Sequence, residues 1–162
     1  MTTITIALTA HDVARCVEMG DVRNSRHAPG STRFGQGDAR AVRDDRLGVV
    51  GEFAVAKHYR LDWPSPQDLQ SPDGDVGRFE VRATTRQAGR LILHDDDVPE
   101  RAYILARVTR DPADGSARVV LVGYYKPWWG LRANWWEEHR QGGGCYFVPN
   151  LCLQSMPRRL AS

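Results

Sequence analysis

Lysine is almost missing from this chain: Lys57 and Lys126 are the only two, and every other basic side chain is arginine. Guanidinium is the better fork for phosphate and carboxylate. A GC-rich coding sequence, which favours Arg, Ala, Gly and Val, is the simpler cause, so residue type alone assigns no arginine a role. Cysteine is scarce too. Cys16, Cys145 and Cys152 form an odd set without a CxxC pair, which indicates neither a zinc site nor a disulfide framework. The first residues, Met1-Thr2-Thr3-Ile4-Thr5-Ile6, lack the basic segment and apolar run of a signal peptide. No apolar stretch approaches membrane-spanning length, so a cytoplasmic location with reduced thiols and no membrane partner is expected. A strong charge of one sign is also missing: the formal net charge of +2 is too small to announce nucleic acid by itself. There is no internal repeat and no low-complexity block.

What is present reads as one ordinary globular domain. The hydrophobic share is 41% and the charged share 26%, both usual for a folded domain, and 162 residues can bury a real core. Thr3 to Leu8 alternates as a short strand, and Thr9 is a plausible N-cap for a helix running to Met19. Gly20 to Asp45 has almost no periodic apolar signal. It carries Arg23, Arg26, Arg33, Arg40 and Arg43 among Gly30, Gly35 and Gly37, which predicts a long basic loop, functional or solvated. A helix follows over about 46–59, capped by Asp44 or Asp45, with Leu47, Val50, Ala54 and His58 on one face and Val49, Phe53 and Ala56 on another. Strands are predicted over about 76–84, 90–94, 102–109 and 118–124, with Asp114-Gly115 as a hairpin turn. Trp128, Trp129, Trp135 and Trp136 follow, helical in the second half, and Cys145 to Val148 forms a last short strand.

The densest chemical signal is Glu80-Val81-Arg82-Ala83-Thr84-Thr85. Alternation puts Arg78, Glu80, Arg82 and Thr84 on one face, and Phe79, Val81 and Ala83 on the other, core face. Just upstream lies Ser71-Pro72-Asp73-Gly74-Asp75, and further upstream Glu52 sits inside a largely apolar helix. An acid on a helix, an acid before a strand and acid-x-base on the strand can together hold a divalent metal against a phosphodiester.

In that order these elements resemble the PD-(D/E)xK nuclease superfamily, the restriction-endonuclease-like fold, and more narrowly its small phage or prophage members. Gly51-Glu52-Phe53-Ala54 matches the first-helix pattern, Glu80-Val81-Arg82-Ala83-Thr84 the motif strand and Gly123-Tyr124 a later strand end, so the likeness spans about 46–125. The resemblance implies an α/β fold with a restriction-endonuclease-like core, a mixed, mostly antiparallel sheet flanked by helices. An N-terminal helix and basic loop would occupy 1–45, and Trp-rich elements 126–162. It implies a deoxyribonuclease that uses Mg²⁺ (or Mn²⁺), acting on DNA in the host-cell cytoplasm if phage-encoded. In that role Asp75 and Glu80 are the metal ligands, Glu52 orients water or completes the metal shell, and Arg82 stands where the motif has lysine.

Two departures qualify the role of each residue. Arginine essentially never gives up its proton, so Arg82 can clamp a phosphate but cannot act as a general base. Asp75 and Glu80 are an odd number of residues apart, so a regular strand would aim them to opposite faces. A turn or bulge at Gly77 would repair that parity, with Asp73 the competing ligand.

Each signal also has a plainer reading. Glu80 and Arg82 can be a salt-bridged face of a half-solvated sheet, and Glu52 can pair with an arginine of the basic loop. Asp95-Asp96-Asp97 reads as a solvated turn, and His94 as structural. Arg26, Arg33, Arg40 and Arg43 are the candidate DNA-backbone contacts. The tryptophans are assigned to core packing or a homo-oligomer interface ahead of base stacking. A catalytically inactive relative that binds DNA or a protein is the alternative function.

Overall fold

The computed structural model describes residues 2–26, 39–63, 75–138 and 143–157, without the side chains of 26 and 39–41. Strand β1 (Ile4–Leu8) leads into helix α1 (Ala10–Arg26). The junction is a reciprocal cap: the Asp12 backbone N–H donates to Thr9 Oγ1 at 3.1 Å, and the Thr9 N–H donates to Asp12 Oδ2 at 3.0 Å. Two otherwise orphaned donors are thereby satisfied. Helix α2 (Ala39–Tyr59) follows. The predicted basic loop is therefore largely helical at both ends, through Arg26 and again from Ala39. Asp44 and Asp45 lie inside α2 rather than capping it, and Asp45 accepts from Asn24 Nδ2 at 3.0 Å. Contacts between α1 and α2, invisible to either segment's own periodicity, override the weak local signal.

The main sheet contains β1, β2 (Phe79–Thr84), β4 (Ala102–Arg110) and β5 (Ala117–Tyr125), in the order β1-β5-β4-β2. Pairings β1–β5 and β4–β5 are antiparallel and β2–β4 is parallel. A mixed, mostly antiparallel sheet with two flanking helices is thus observed as expected. A parallel neighbour needs a crossover, and the chain makes it through β3 (Leu91–Leu93). That strand joins β6 (Trp136–Glu138) and β7 (Gly144–Val148) in a second, three-stranded sheet of order β3-β7-β6.

Two apolar layers follow from the strand alternation. Toward the helices, Phe79, Val81, Ile104, Ala106, Val108, Val119 and Leu121 pack against Val49, Val50, Ala54, Val55 and Ala56 of α2. Toward the second sheet, Tyr103, Leu105, Val122 and Tyr125 pack with Leu91, Leu93, Trp135 and Val148. A register shift between Leu105 and Ala106 leaves Val122 as an extra residue on β5. It reverses the later alternation, so Tyr124 faces the helices and Tyr125 the second sheet. The stretch before β6 is a single 3₁₀ turn, Ala133–Trp135, and not the predicted helix. Trp135 is buried there, whereas Trp128 and Trp129 are exposed on another such turn, Pro127–Trp129.

Candidate functional site

Glu52 reaches the sheet because α2 sits down on it. A Cβ on Gly51 would lie 3.1 Å from Ala83 Cβ, 3.2 Å from Val81 Cγ1 and 3.3 Å from Ala106 Cβ, so glycine permits the close approach. The next residue, Glu52, is 2% exposed and the only buried charged residue among those described. Arg23 of α1 meets it with both terminal nitrogens, Nη1 to Oε1 and Nη2 to Oε2, each at 2.7 Å. This is the plainer of the two readings of Glu52, a carboxylate paired with an arginine of the supposed loop. Burial holds the Glu52 carboxyl above its ordinary range; Arg23 pulls it down, and the negative charge of Asp75 pushes it further up.

Asp75 owes its position to a tight reversal. Val76 and Phe79 exchange both backbone hydrogen bonds, at 3.1 and 3.0 Å, around Gly77, whose φ is +56°. That conformation suits glycine. The turn at Gly77 expected from the sequence is present, and it carries Asp75 back to the edge of β2. Since β2 is an edge strand, its outward N–H groups need partners. Asp75 Oδ2 accepts from the Val81 N–H at 2.9 Å.

Glu80 and Arg82 share the face of β2 turned toward the second sheet, as alternation requires. Arg101, at the entry to β4, holds Glu80 Oε1 through Nη1. Burial raises the Glu80 carboxyl, and Asp75 raises it further against the opposing pull of Arg101 and Arg82. Arg82 Nη2 donates to Asp97 Oδ1 at 2.9 Å, and its guanidinium lies 5.3 Å from the Tyr103 ring centroid. The Arg82 Nε is buried without a partner. Asp97 also accepts the His94 N–H at 2.9 Å, and its side chain is 8% exposed. Asp95 and Asp96 are the exposed turn that the sequence suggested. Asp97 departs from that reading and clamps Arg82.

Asp75 therefore lies within electrostatic reach of both Glu52 on α2 and Glu80 on β2. The three are not arranged as a metal cage: among the described residues no group of three His, Cys, Asp or Glu side chains could hold a metal ion. Arginines occupy Glu52 and Glu80 instead. Asp73 and Arg33 lie outside the described residues, as do the side chains of Arg26 and Arg40; Arg43 is exposed on α2. Sequence reasoning gave Arg101 no role and read Asp97 only as part of a solvated turn. What places them is the parallel pairing of β2 with β4, which sets the connection leading into β4 beside β2 and which no local pattern reveals.

The fold and site define an α/β domain with a carboxylate–guanidinium site at the open edge of its main sheet. No family model, no curated protein and no solved structure matches the chain.

Proposed function

We propose that the protein is a Mg²⁺-dependent (or Mn²⁺-dependent) deoxyribonuclease-like protein, phage-related, that hydrolyses DNA phosphodiester bonds. The observation that carries this reading is geometric: the Gly77 reversal bonds the Asp75 carboxylate to the Val81 N–H of the motif strand at 2.9 Å, between Glu80 and Arg82, and the added negative charge pushes the half-buried Glu80 carboxyl up beyond the effect of burial. Like charges brought together under partial burial are a costly arrangement, and perturbed carboxyls of this kind gather at functional sites. The donor chemistry is the kind a hard cation takes, since every candidate ligand atom is a carboxylate oxygen, although with arginines on Glu52 and Glu80 the described side chains are not closed into a cage. Asp75 and Glu80 would hold the cation, beside the Val81 N–H and the Arg101 guanidinium that already engage one oxygen of each group. A bound Mg²⁺ supplies Lewis-acid polarisation of a phosphoryl oxygen and a more acidic water.

The chain's own residues supply the rest. Arg82, fixed by Asp97, offers permanent positive charge to a phosphate and no proton acceptor. Glu52, held above the ordinary carboxylate range by burial, is a better proton acceptor than an exposed glutamate. Arg23 must yield one of its oxygens before it can act. Incubating the protein with plasmid or oligonucleotide and Mg²⁺ or Mn²⁺ tests the reading. Cleavage abolished by Glu80→Ala is expected; no cleavage, or cleavage indifferent to that change, removes the enzyme.

A second reading, a catalytically inactive protein of the same kind that binds DNA or a protein partner, draws on the arginines that neutralise Glu52 and Glu80. Arg82→Lys separates the two. Cleavage gained by the lysine variant marks a degenerate site, and cleavage lost marks Arg82 as the working residue.

A further inference from the structure

Arg107 lies on β4, on the face shared by Glu80, Arg82 and Tyr103. Its neighbours in the strand, Ala106 and Val108, belong to the helix-side core, while Leu105 and Tyr103 belong to the other. The register pairs Thr84 with Arg107 and Arg82 with Leu105. Arg107 is thus one strand across and two residues along from Arg82, which puts their Cα atoms about 8 Å apart. Arginine side chains at that separation can converge on one phosphate or on two successive ones.

Both arginines bury an Nε–H that has no acceptor, and the two are the only arginines so placed among the described residues. A buried, unsatisfied donor is costly. The pair differs in charge balance. Arg82 has Asp97 as a counter-ion, whereas no carboxylate among the described residues pairs with Arg107. The neighbouring ion pairs on this face are Glu80 with Arg101 and Arg82 with Asp97.

We propose that Arg107, beside Arg82, forms an oxyanion subsite that takes a backbone phosphate of DNA next to the scissile one assigned to Arg82. This rests on the nuclease-like reading and adds to it a residue outside the motif strand. The recognised chemistry is a phosphate oxyanion, which a nucleic-acid backbone and free phosphate both present.

The test measures binding, not cleavage, so it stands apart from the hydrolytic claim. Fluorescence anisotropy with a labelled oligonucleotide would be recorded over a salt series without divalent metal for the wild type, Arg107→Gln and Arg107→Lys. For Arg107→Gln we expect affinity to fall about tenfold and the log–log salt slope to decrease by about one unit. Arg107→Lys should keep the slope, because its charge remains, while losing part of the affinity with the fork. An unchanged slope and affinity in Arg107→Gln overturns the subsite even if the protein cleaves DNA. Wild-type protein that does not bind the oligonucleotide overturns it as well. Inorganic phosphate titrated alone is the second arm: binding of phosphate that Arg107→Gln abolishes, with oligonucleotide affinity untouched, overturns the DNA assignment. Circular dichroism of both variants shows whether the fold is retained, and Arg107→Lys carries the test if Arg107→Gln unfolds.

Discussion

Replacing Arg23 by alanine should strand a carboxylate inside the protein. Glu52 has a side-chain exposure of 3%, and Arg23, at 24%, meets both its oxygens at 2.7 Å. Breaking a buried pair by removing one partner costs about 3–5 kcal/mol, because the remaining charge is left uncompensated. A domain is stable by only about 5–15 kcal/mol, so the variant would lose a large share. At about 2–4 °C per kcal/mol for a chain of this size, Tm should drop by about 6–20 °C. Substituting both partners together, Arg23→Met with Glu52→Leu, should recover most of the loss, since no buried charge then remains.

The pH dependence gives the sharper check. Burial raises the folded-state affinity of Glu52 for a proton above its ordinary 4.5. A raised carboxyl contributes stability that is present below the unfolded value and lost as pH rises through the folded one. Arg23 opposes that loss, so its removal hurts at neutral pH and hurts less once Glu52 is protonated. Urea unfolding followed by circular dichroism from about pH 8 down to about pH 5 should show the Arg23→Ala deficit shrinking. A deficit that is flat across that range, or below about 1 kcal/mol at neutral pH, would refute the reasoning.

Trp135→Ala empties a buried position in the layer between the two sheets and should cost about 3–5 kcal/mol. Trp128→Ala, at a side chain 61% exposed, should stay within about 0.5 kcal/mol; the pair is checked by thermal melts. Gly77→Ala meets no crowding, its Cβ falling 3.7 Å from Leu61 Cδ1, so the penalty is the positive φ alone, about 1–2 kcal/mol. If the protein cleaves DNA, that variant should also lose rate through a displaced Asp75, which a plasmid-nicking assay would read. Asp97→Asn keeps the shape but removes the negative charge facing Arg82; about 1 kcal/mol is expected, discounted because Arg82 is partly exposed. Calorimetry against Asp95→Asn, an exposed control, checks it.

The strands were legible because alternation is a local property: Phe79, Val81 and Ala83 against Glu80, Arg82 and Thr84 separate the faces of β2 without any partner. Glu52 was legible for the same reason, as its helical neighbours are apolar on both sides. The turn at Gly77 could be anticipated from parity and glycine alone. The helical course of the Gly20–Asp45 stretch at its two ends could not, because its described residues meet across α1 and α2, as Asn24 does with Asp45 and Asp21 with Arg46, rather than follow a pattern of their own. Trp135 illustrates the converse error, where a run that looked helical was needed as a plug between two sheets.

By itself the sequence determined which residues face inward, where the chain turns, and that acids and an arginine would collect near one edge strand. Tertiary structure alone decided the partners: Arg23 for Glu52, Arg101 for Glu80, Asp97 for Arg82, and no carboxylate among the described residues for Arg107. The reason is physical. Periodicity records the direction of a side chain relative to its own backbone, whereas an ion pair depends on which distant segment the packed core carries to it.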